Sequence, residues 1–353
     1  MSTAPHVGSQ PLEALVRAVA ARTMRWPFRM WAFGEAVALR GLLATSRGTG
    51  DGEPLGFVRA LLRSYVGRGV GRTPEEYVAP GTELLLLHAI DRDDEWLDAA
   101  RALAHLSSSA PMGTHGVRYR RPDLPGWRRQ IWVDSMDGAP PFLSRLASVT
   151  GDESYAIEAV RELIGYTRLL QDERTGLLVH GFEETCGTNG QLWARGNGWA
   201  VIGLMETLAL LPDGTPFVTE LRQRLDALLD GLAARQHASG LWPTVLDHPE
   251  TPLESSLAAL TVCAIDRGRS AGVLTDERYG PMRDRARAAV FDCVSPAGEL
   301  ALVSDATPIG ELRMYVTRPF GIFPWGQGPL LMMLCPADGE GEAPPLPAAT
   351  PRP

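Results

Sequence analysis

The 353-residue sequence contains no lysine, and its 34 basic residues are all arginine. We interpret this as a compositional bias towards arginine rather than as a chemical requirement. The arginines are scattered, and the net charge of −8 comes without a basic patch. The charge pattern of a protein that binds DNA, RNA or an anionic membrane surface is therefore missing. No nucleic-acid partner is predicted.

Long apolar runs are also missing. No stretch approaches the roughly 18 apolar residues of a membrane span, and the first 28 residues lack the basic and then apolar segments of a secretory signal. We therefore expect a soluble, cytoplasmic protein without a membrane partner. With 44% hydrophobic and 22% charged residues, the composition indicates a folded chain that buries a large core.

Cysteine is scarce, and the motifs of metal and nucleotide sites are absent. The four cysteines lie far apart without CxxC spacing, so we predict buried free thiols rather than a zinc site or a redox pair. There is no HExxH, no cluster of His and Cys and no acidic cage. The stretches "RGVGRT" and "GTGDGEP" lack the strand-to-helix setting of a phosphate loop, and "GLMETLALL" has no nucleophile elbow. We predict no metal and no cofactor.

Helical periodicity dominates what is present. The apolar residues from Phe217 to Leu232 recur at steps of three and four, which places them on one helix face. Such patterns, bounded by Gly, Pro and Asp, predict twelve helices and no convincing central strand. The predicted ranges are 12–24, 31–46, 54–68, 79–90, 94–107, 138–149, 153–171, 197–211, 215–236, 253–272, 276–292 and 326–335.

A weak internal repeat suggests how these helices are arranged. Acidic turns begin "RDDEWLDAAR" at 92, "GDESYAIEAV" at 151 and "TDERYGPMRD" at 275, and each is expected to cap a helix. Repeated helical hairpins form an open solenoid or a closed toroid. The long segments between helices carry most of the Trp and His residues, which favours convergence on one mouth. We predict an all-α fold, an (α/α)6 barrel of six helical hairpins in a closed toroid. The predicted organisation is a flexible N-terminus (1–10), a single catalytic barrel (11–335) and a Pro-rich tail (336–353).

Four stretches couple an aromatic residue with a polar one beside a turn, and the first contains Asp134. They are "IWVDSMDGAPPFLSRLASVTGD" (131–152), "TGLLVHGFEE" (175–184), "LWARGNGW" (192–199) and "SGLWPTVLDHPETPLESSLAAL" (239–260). A carboxyl walled by Trp132 loses hydration and holds its proton to higher pH, so Asp134 is a candidate acid. Like-charge repulsion from Asp137 acts in the same direction. The alternative is that Asp134 or Asp137 caps the helix that begins near 139.

Arg195 is the candidate anion-binding residue. It lies between Trp193 and Trp199, and the small residues Gly196 and Gly198 would let a ligand approach the backbone closely. This cluster is typical of a clamp for a flat, anionic ligand such as an acidic sugar. The alternative is a cation–π stack that locks a loop to the barrel. Likewise, His180 either donates to a sugar hydroxyl or is a structural residue.

The ordered set of motifs resembles the unsaturated glucuronyl and rhamnogalacturonyl hydrolases (glycosyl hydrolase families 88 and 105) over roughly residues 26 to 335. The resemblance implies an (α/α)6 barrel and an acidic oligosaccharide substrate whose terminal uronic acid has a C4=C5 double bond. The carrying residues are Trp132-Val133-Asp134 with Pro141-Phe142-Leu143, His180-Gly181, Trp193 to Trp199, Gly240-Leu241-Trp242, Leu253-Glu254-Ser255-Ser256 and Gly326-Gln327-Gly328.

The resemblance also implies roles for these residues. The aspartate matching Asp134 protonates C4 of the enol ether and then helps water to add at C5, after which the hemiketal opens and expels the remaining sugar. One acid/base residue suffices, unlike the two carboxylates of ordinary glycosidases. The residues implied in substrate binding are Trp132, His180, Trp193, Arg195, Trp199, Trp242 and Glu254, with Trp31 as an aromatic wall. Asp137, a second acid that this chain has where it departs from the family, is a further candidate.

The chain departs from the family pattern in two places. Residues 135–138 read Ser-Met-Asp-Gly where the family commonly has Thr-Leu-Tyr-Met. The acidic residue that the family places before the helix of "APGTELLLLHA" has no clear match, although Glu75 and Glu76 lie nearby. Two other functions therefore stay open, a non-catalytic glycan-binding barrel and a sugar isomerase or epimerase on the same barrel. The oligomeric state is not predicted.

Overall fold

The structure, a computed structural model, describes residues 11–28, 33–73, 78–211 and 214–336. Thirteen α-helices lie in these ranges. They are α1 (Leu12–Met24), α2 (Phe33–Thr49), α3 (Gly52–Gly67), α4 (Gly81–Asp91), α5 (Asp94–Ser108), α6 (Ala139–Thr150), α7 (Glu153–Leu170), α8 (Ala194–Leu208), α9 (Val218–Arg235), α10 (Ser256–Ser270), α11 (Gly280–Asp292), α12 (Leu312–Val316) and α13 (Pro324–Leu334).

Six of the helices form a closed inner ring. Helices α2, α4, α6, α8, α10 and α13 each pack on the next, and α13 returns to pack on α2. Outside this ring, α3, α5, α7, α9 and α11 each pack on the inner helix that precedes them, while α1 packs on α13 and α2. The result is the predicted (α/α)6 barrel of six helical hairpins.

Burial explains which helices form which ring. In α8, every residue except Glu206 is buried, as expected for a helix surrounded by neighbours on all sides. In α9, burial is confined to one face, which contains Leu221, Leu225 and Leu232. The period of three to four apolar residues that predicted the outer helices therefore marks the face that each turns towards the inner ring.

The acidic turns that were predicted to cap helices do so in two of three cases. Asp93 accepts a hydrogen bond from the Glu95 amide at the start of α5, and Asp152 accepts one from the Ser154 amide at the start of α7. Asp276 accepts from the amide of Arg278, two residues before α11 begins, so it closes a turn ahead of the helix.

Seven short strands lie in the described ranges, and they precede four of the inner helices at one end of the barrel. The first sheet is antiparallel and contains β1 (Gln130–Trp132), β2 (Gly181–Glu183) and β3 (Gly187–Thr188). Two antiparallel pairs follow, β4 (Trp242–Pro243) with β5 (Leu253–Glu254), and β6 (Val303–Ser304) with β7 (Phe320–Gly321). These pairings gather the loops before α6, α8, α10 and α13 at a common mouth.

All twelve predicted helices are present, with differences at their ends. The largest consequence is at α8, which begins at Ala194 rather than at 197, so Arg195 and Trp199 lie inside its first two turns. The short helix α12 and the strands were not predicted, because elements of two to five residues are too short to repeat a hydrophobic pattern.

Several other predictions concern single residues or the chain ends. All four cysteines are free, and Cys263 and Cys335 are buried, but Cys186 is exposed in the turn between β2 and β3, so the prediction of burial is wrong there. The predicted flexible N-terminus (1–10), the tail beyond Pro336, Trp31, and Glu75 with Glu76 lie outside the described residues. No helix in the described ranges combines the length and the apolar content that crossing a bilayer requires.

The inner ring closes where α2 and α13 meet backbone to backbone. A Cβ atom on Gly41 would lie 2.6 Å from the carbonyl oxygen of Gly328, and a Cβ on Gly328 would collide with the carbonyl of Val37. The two glycines therefore set the distance between the first and the last inner helices.

We expect Gly328→Ala to lower the free energy of unfolding by about 1–3 kcal/mol, because the added methyl group must push α13 away from α2. The measurement is urea-induced unfolding followed by circular dichroism. The matched control is Gly56→Ala in α3, where no atom lies within 4 Å of the new Cβ. There the better helix former should raise stability by about 0.5–1 kcal/mol. Equal changes in the free energy of unfolding for the two substitutions would contradict the close contact between α2 and α13.

Candidate active site

A cavity of about 460 Å³ opens at the mouth of the barrel, among the N-terminal ends of the inner helices. Five of the residues singled out from the sequence line it: Trp132, Asp134, Trp193, Arg195 and Trp199. The structure therefore brings together two of the four stretches, 131–152 and 192–199, which are separate in the sequence. Further wall residues are Glu35, Arg120, Arg121, Leu124, Trp127, Thr307, Pro308, Arg318 and Trp325.

Asp134 is held by a single 3₁₀ turn, Val133–Asp137, that links β1 to α6. The amide of Val133 donates to the carbonyl of His180 at 2.9 Å, which fixes the start of the turn. The turn rests on α8, where a Cβ on Gly196 would meet Val133 and a Cβ on Gly203 would collide with the carbonyl of Met136. The small residues of α8 therefore seat the turn that carries Asp134.

This packing corrects the expected role of the glycines in "LWARGNGW". They were expected to admit a ligand, but Gly196 admits Val133, and Gly198 admits Leu260 of α10. The space is filled by protein because the motif lies inside a helix of the inner ring rather than in a loop.

Asp134 is 5% exposed, and its Oδ2 lies 3.1 Å from Nε2 of His180. It does not cap α6. The residue before that helix is Gly138, which makes no side-chain cap, and Pro140 and Pro141 occupy the first turn. The capping alternative is therefore wrong for both Asp134 and Asp137, and Asp134 is left with one oxygen bonded to His180.

His180 is fully buried at the back of the cavity wall. Its ring centroid lies 4.4 Å from that of Trp193 and 5.3 Å from that of Trp132. Its Nδ1 lies 2.7 Å from the hydroxyl oxygen of Tyr315 on α12. His180 therefore belongs to the site through Asp134, and it contacts a tyrosine that the sequence analysis did not find.

Arg195 is buried, and the protein itself occupies its guanidinium group. Nη1 donates to Glu254 at 3.0 Å and to the carbonyl and hydroxyl of Ser304, and Nη2 donates to the carbonyl of Asp305 at 2.9 Å. The group also stacks 4.4 Å from the ring centroid of Trp193. Burial lowers the pKa of Arg195, with Glu254 opposing the shift. These contacts match the cation–π alternative, in which Arg195 locks loops to the barrel.

Three other residues expected in substrate binding do not line the cavity. Glu254 is fully buried behind Arg195, and Trp242 is fully buried and donates from Nε1 to the carbonyl of Leu232 at 2.8 Å. Asp137 is also buried and faces away from the cavity. Asp134 and Asp137 are three residues apart, which is one turn of a 3₁₀ helix and would place both side chains on the same side. The chain turns into α6 at Gly138, however, and Asp137 points towards the barrel interior.

Asp137 belongs to a buried ion cluster. Its two oxygens lie 3.2 and 3.4 Å from the nitrogens of Arg40, which also contacts Glu83 at 3.1 Å. Burial raises the pKa of Asp137 to about 6, although Arg40 opposes the shift. Burial likewise raises the pKa of Glu83 against Arg40. The guanidinium group of Arg40 is thus shared by two desolvated carboxyl groups.

The cavity wall contains cations that the sequence analysis missed. Arg120, Arg121 and Arg318 line it. Burial lowers the pKa of Arg120, and the negative charge of Asp134 opposes the shift. Among the described residues, Nε of Arg318 and Nε1 of Trp193 are buried donors that meet no acceptor. Scattered arginines carry no sequence signal of this kind, because only the fold shows which of them converge.

We predict that Asp137→Asn makes the free energy of unfolding less sensitive to rising pH. A carboxyl whose pKa is higher in the folded state binds its proton more tightly there, so its contribution to stability falls as pH rises from about 4 to about 6. Relative to wild type, the free energy of unfolding of the variant should rise by up to about 3 kcal/mol between pH 4 and pH 7, at ~1.36 kcal/mol per unit of pKa. Urea unfolding at several pH values measures this difference.

The control for this experiment is Asp98→Asn on the exposed face of α5, where the carboxylate is 72% exposed beside Arg101. Its stability difference from wild type should stay constant over the same pH range. A relative loss of stability by Asp137→Asn with rising pH would mean that Arg40 keeps Asp137 ionised.

An (α/α)6 barrel whose mouth combines tryptophan, arginine and one buried carboxyl is consistent with a glycoside hydrolase. Residues 17–337 match glycosyl hydrolase family 88. The chain belongs to this family, and the protein is a glycoside hydrolase.

Similar proteins agree with this assignment. The chain is 28% identical over 332 residues to the unsaturated rhamnogalacturonyl hydrolase YesR of Bacillus subtilis, which covers 91% of this chain and 94% of that protein. A solved structure of a possible member of the GH105 family from Klebsiella pneumoniae superimposes with a TM-score of 0.83 at 24% identity, covering 95% and 98% of the two chains. The unsaturated glucuronyl hydrolase of Bacillus sp. GL1 superimposes with a TM-score of 0.71 at 17% identity, covering 91% and 94%. The two structures share the fold.

Proposed function

We propose that this enzyme removes the 4,5-unsaturated uronic acid from the non-reducing end of oligosaccharides that polysaccharide lyases produce. The observation that carries the proposal is the Asp134 carboxyl, which lines the cavity while His180 holds one of its oxygens. The curated relative that spans nearly the whole chain is named for hydrolysis of an unsaturated rhamnogalacturonyl substrate. The cytoplasmic location stays a prediction from the sequence.

The cavity fits an acidic sugar in size, charge and surface. Its volume of about 460 Å³ lies within the roughly 300–1,000 Å³ of small-molecule sites. Three arginines in the wall, Arg120, Arg121 and Arg318, favour an anionic ligand. Tryptophan rings supply apolar surface for the faces of sugar rings, and the unpaired Nε1 of Trp193 is a donor for a sugar oxygen.

The reaction follows from one acid/base group. Asp134 delivers a proton to C4 of the enol ether, and the positive charge that develops at C5 is shared with the ring oxygen. Water adds at C5 while the Asp134 carboxylate accepts its proton, which restores the acid. The resulting hemiketal opens and releases the neighbouring sugar. A positioned acid of this kind contributes about 10² to 10⁴ in rate.

Of the two other functions left open by the sequence, one is disfavoured by the family and the other is tested by the assay. Membership in a glycoside hydrolase family argues against a sugar isomerase or epimerase. A non-catalytic glycan-binding barrel is an outcome of the assay below, since it would bind the sugar without consuming the double bond.

We expect Asp134→Asn to lower kcat by about 10² to 10⁴, because the N–H groups of an amide are far too weakly acidic to protonate carbon. The substrates are unsaturated disaccharides from lyase digests of pectin, heparin and chondroitin. The measurement is loss of the ultraviolet absorbance of the double bond conjugated to the carboxylate, with the melting temperature as a test of folding.

The matched control for Asp134→Asn is Asp247→Asn, on the exposed loop between β4 and β5, which should retain wild-type activity. Full activity of Asp134→Asn would overturn the mechanism. Sugar binding by the wild type with no loss of absorbance would identify a silent binder.

We expect Arg318→Gln to raise KM about tenfold or more with kcat changed less than threefold, because a charge-assisted bond to the substrate carboxylate is lost. Steady-state kinetics on the best disaccharide measures this. The control is Arg313→Gln, which removes an exposed arginine of α12 that does not line the cavity. An equal change in KM for both variants would show that only the overall charge matters.

A further inference from the structure

Behind Asp134, four side chains form a continuous chain of hydrogen bonds. Nδ2 of Asn189 lies 2.8 Å from the hydroxyl oxygen of Tyr315, that oxygen lies 2.7 Å from Nδ1 of His180, and Nε2 of His180 lies 3.1 Å from Oδ2 of Asp134. This chain of hydrogen bonds runs inward from Asn189, in the loop before α8, through Tyr315 of α12 and His180 to the carboxyl in the cavity wall.

The donor-to-acceptor direction of these hydrogen bonds is set at the outer end, by Asn189. Oδ1 of Asn189 accepts a hydrogen bond from the amide of Gly181 at 3.2 Å, and Nδ2 donates to the carbonyl of Gly310 at 3.0 Å. An N–H group on one side and a carbonyl on the other leave only one orientation of the amide. The group facing Tyr315 is therefore the NH₂, so Tyr315 accepts from Asn189.

Tyr315 must then donate to His180. Its hydroxyl oxygen accepts from Asn189, and the Gly310 backbone also hydrogen-bonds to it. Burial raises the pKa of Tyr315, so the hydroxyl keeps its proton. A buried hydroxyl has one hydrogen to donate, and the remaining neighbour within hydrogen-bond distance is Nδ1 of His180.

We propose that Tyr315, oriented by Asn189, is a positioning residue that fixes the Nε2–H tautomer of His180, so that a neutral imidazole donates to Asp134. An Nδ1 that accepts a hydrogen bond carries no proton, and the single proton of the ring is then on Nε2. For catalysis the proposal rests on the proposed function, in which Asp134 is the acid.

The opposite tautomer would harm the reaction. With a lone pair on Nε2, His180 would face Asp134 as an acceptor and would draw the acidic proton to Oδ2, away from the substrate. With the proton on Nε2, His180 occupies Oδ2 and leaves Oδ1 to carry the proton for C4. The same donor stabilises the carboxylate that remains after the proton has moved to carbon.

The segment before α12, which carries Tyr315, is tied down at two points. Arg195 binds the carbonyls of Ser304 and Asp305, and Asn189 binds the carbonyl of Gly310. The ring of Tyr315 also packs 6.2 Å from the ring centroid of Trp193. These contacts hold the ring in place when its hydroxyl is removed, which makes Tyr315→Phe a clean test.

The first measurement is independent of any substrate. In ¹⁵N spectra at neutral pH, wild-type His180 should show a protonated, pyrrole-type Nε2 and an unprotonated, pyridine-type Nδ1, assigned by loss of these signals in His180→Ala. In Tyr315→Phe the two nitrogens should move towards the average of exchanging tautomers. A protonated Nδ1 in the wild type would overturn the proposal, whatever the enzyme hydrolyses and whether or not the variant folds.

The second measurement is kinetic. Tyr315→Phe should lower kcat about 10- to 100-fold, with KM changed less than threefold, as when a group that orients a functional histidine is removed. Because Tyr315 acts through His180, the same substitution in a His180→Ala background should change kcat less than twofold. Additive losses in the double variant would assign Tyr315 a separate role and contradict the proposal.

The matched control is Tyr279→Phe, which removes another buried hydroxyl, one that donates to Asp230 on the outer helices at 3.1 Å. It should leave the His180 spectrum and kcat as in the wild type. If neither the spectrum nor kcat responds to Tyr315→Phe, the tautomer is set elsewhere. If the spectrum responds while no unsaturated disaccharide is consumed by the wild type, the hydrogen-bond chain stands and the proposed function fails.

Discussion

The mouth of the barrel depends on the buried ion pair between Arg195 and Glu254. The two groups come from the first turn of α8 and from β5, and Arg195 also binds the backbone of the β6 segment. One guanidinium therefore joins the entrances of three inner helices. Removing one partner of a buried pair leaves an uncompensated charge and costs about 3–5 kcal/mol. Arg195 thus holds part of the cavity wall in place, while Arg120, Arg121 and Arg318, which lie outside this network, add charge to the wall.

Helix α8 links the fold to the chemistry. As a member of the inner ring it is buried on all sides, and its glycines let other chain segments approach its backbone. One of those segments is the turn that carries Asp134, so the acid is placed by the same close packing that builds the barrel. The motif "LWARGNGW" combines both tasks, because Arg195 and Trp199 lie on its cavity side while Gly196 and Gly198 lie against protein.

The sequence predicted the twelve barrel helices because each long helix repeats its apolar face over several turns. Asp134 and His180 were predicted because an aromatic residue, a polar residue and a turn stand side by side in the chain. Tyr315 escaped prediction because it reaches His180 from 135 residues away, on a helix of five residues. The roles of Arg195 and Asp137 depended on partners 59 and 97 residues away, Glu254 and Arg40, and local sequence contains no information about such pairs.

The ring closes only when its last helix arrives. Helix α13 packs on α2, near the other end of the chain, and it brings Trp325 to the cavity wall. During synthesis from the N-terminus, the contact face of α2 stays uncovered until almost the whole chain has been made. Barrel and catalytic cavity are therefore completed by one late, long-range event, and a chain that ends before α13 has neither.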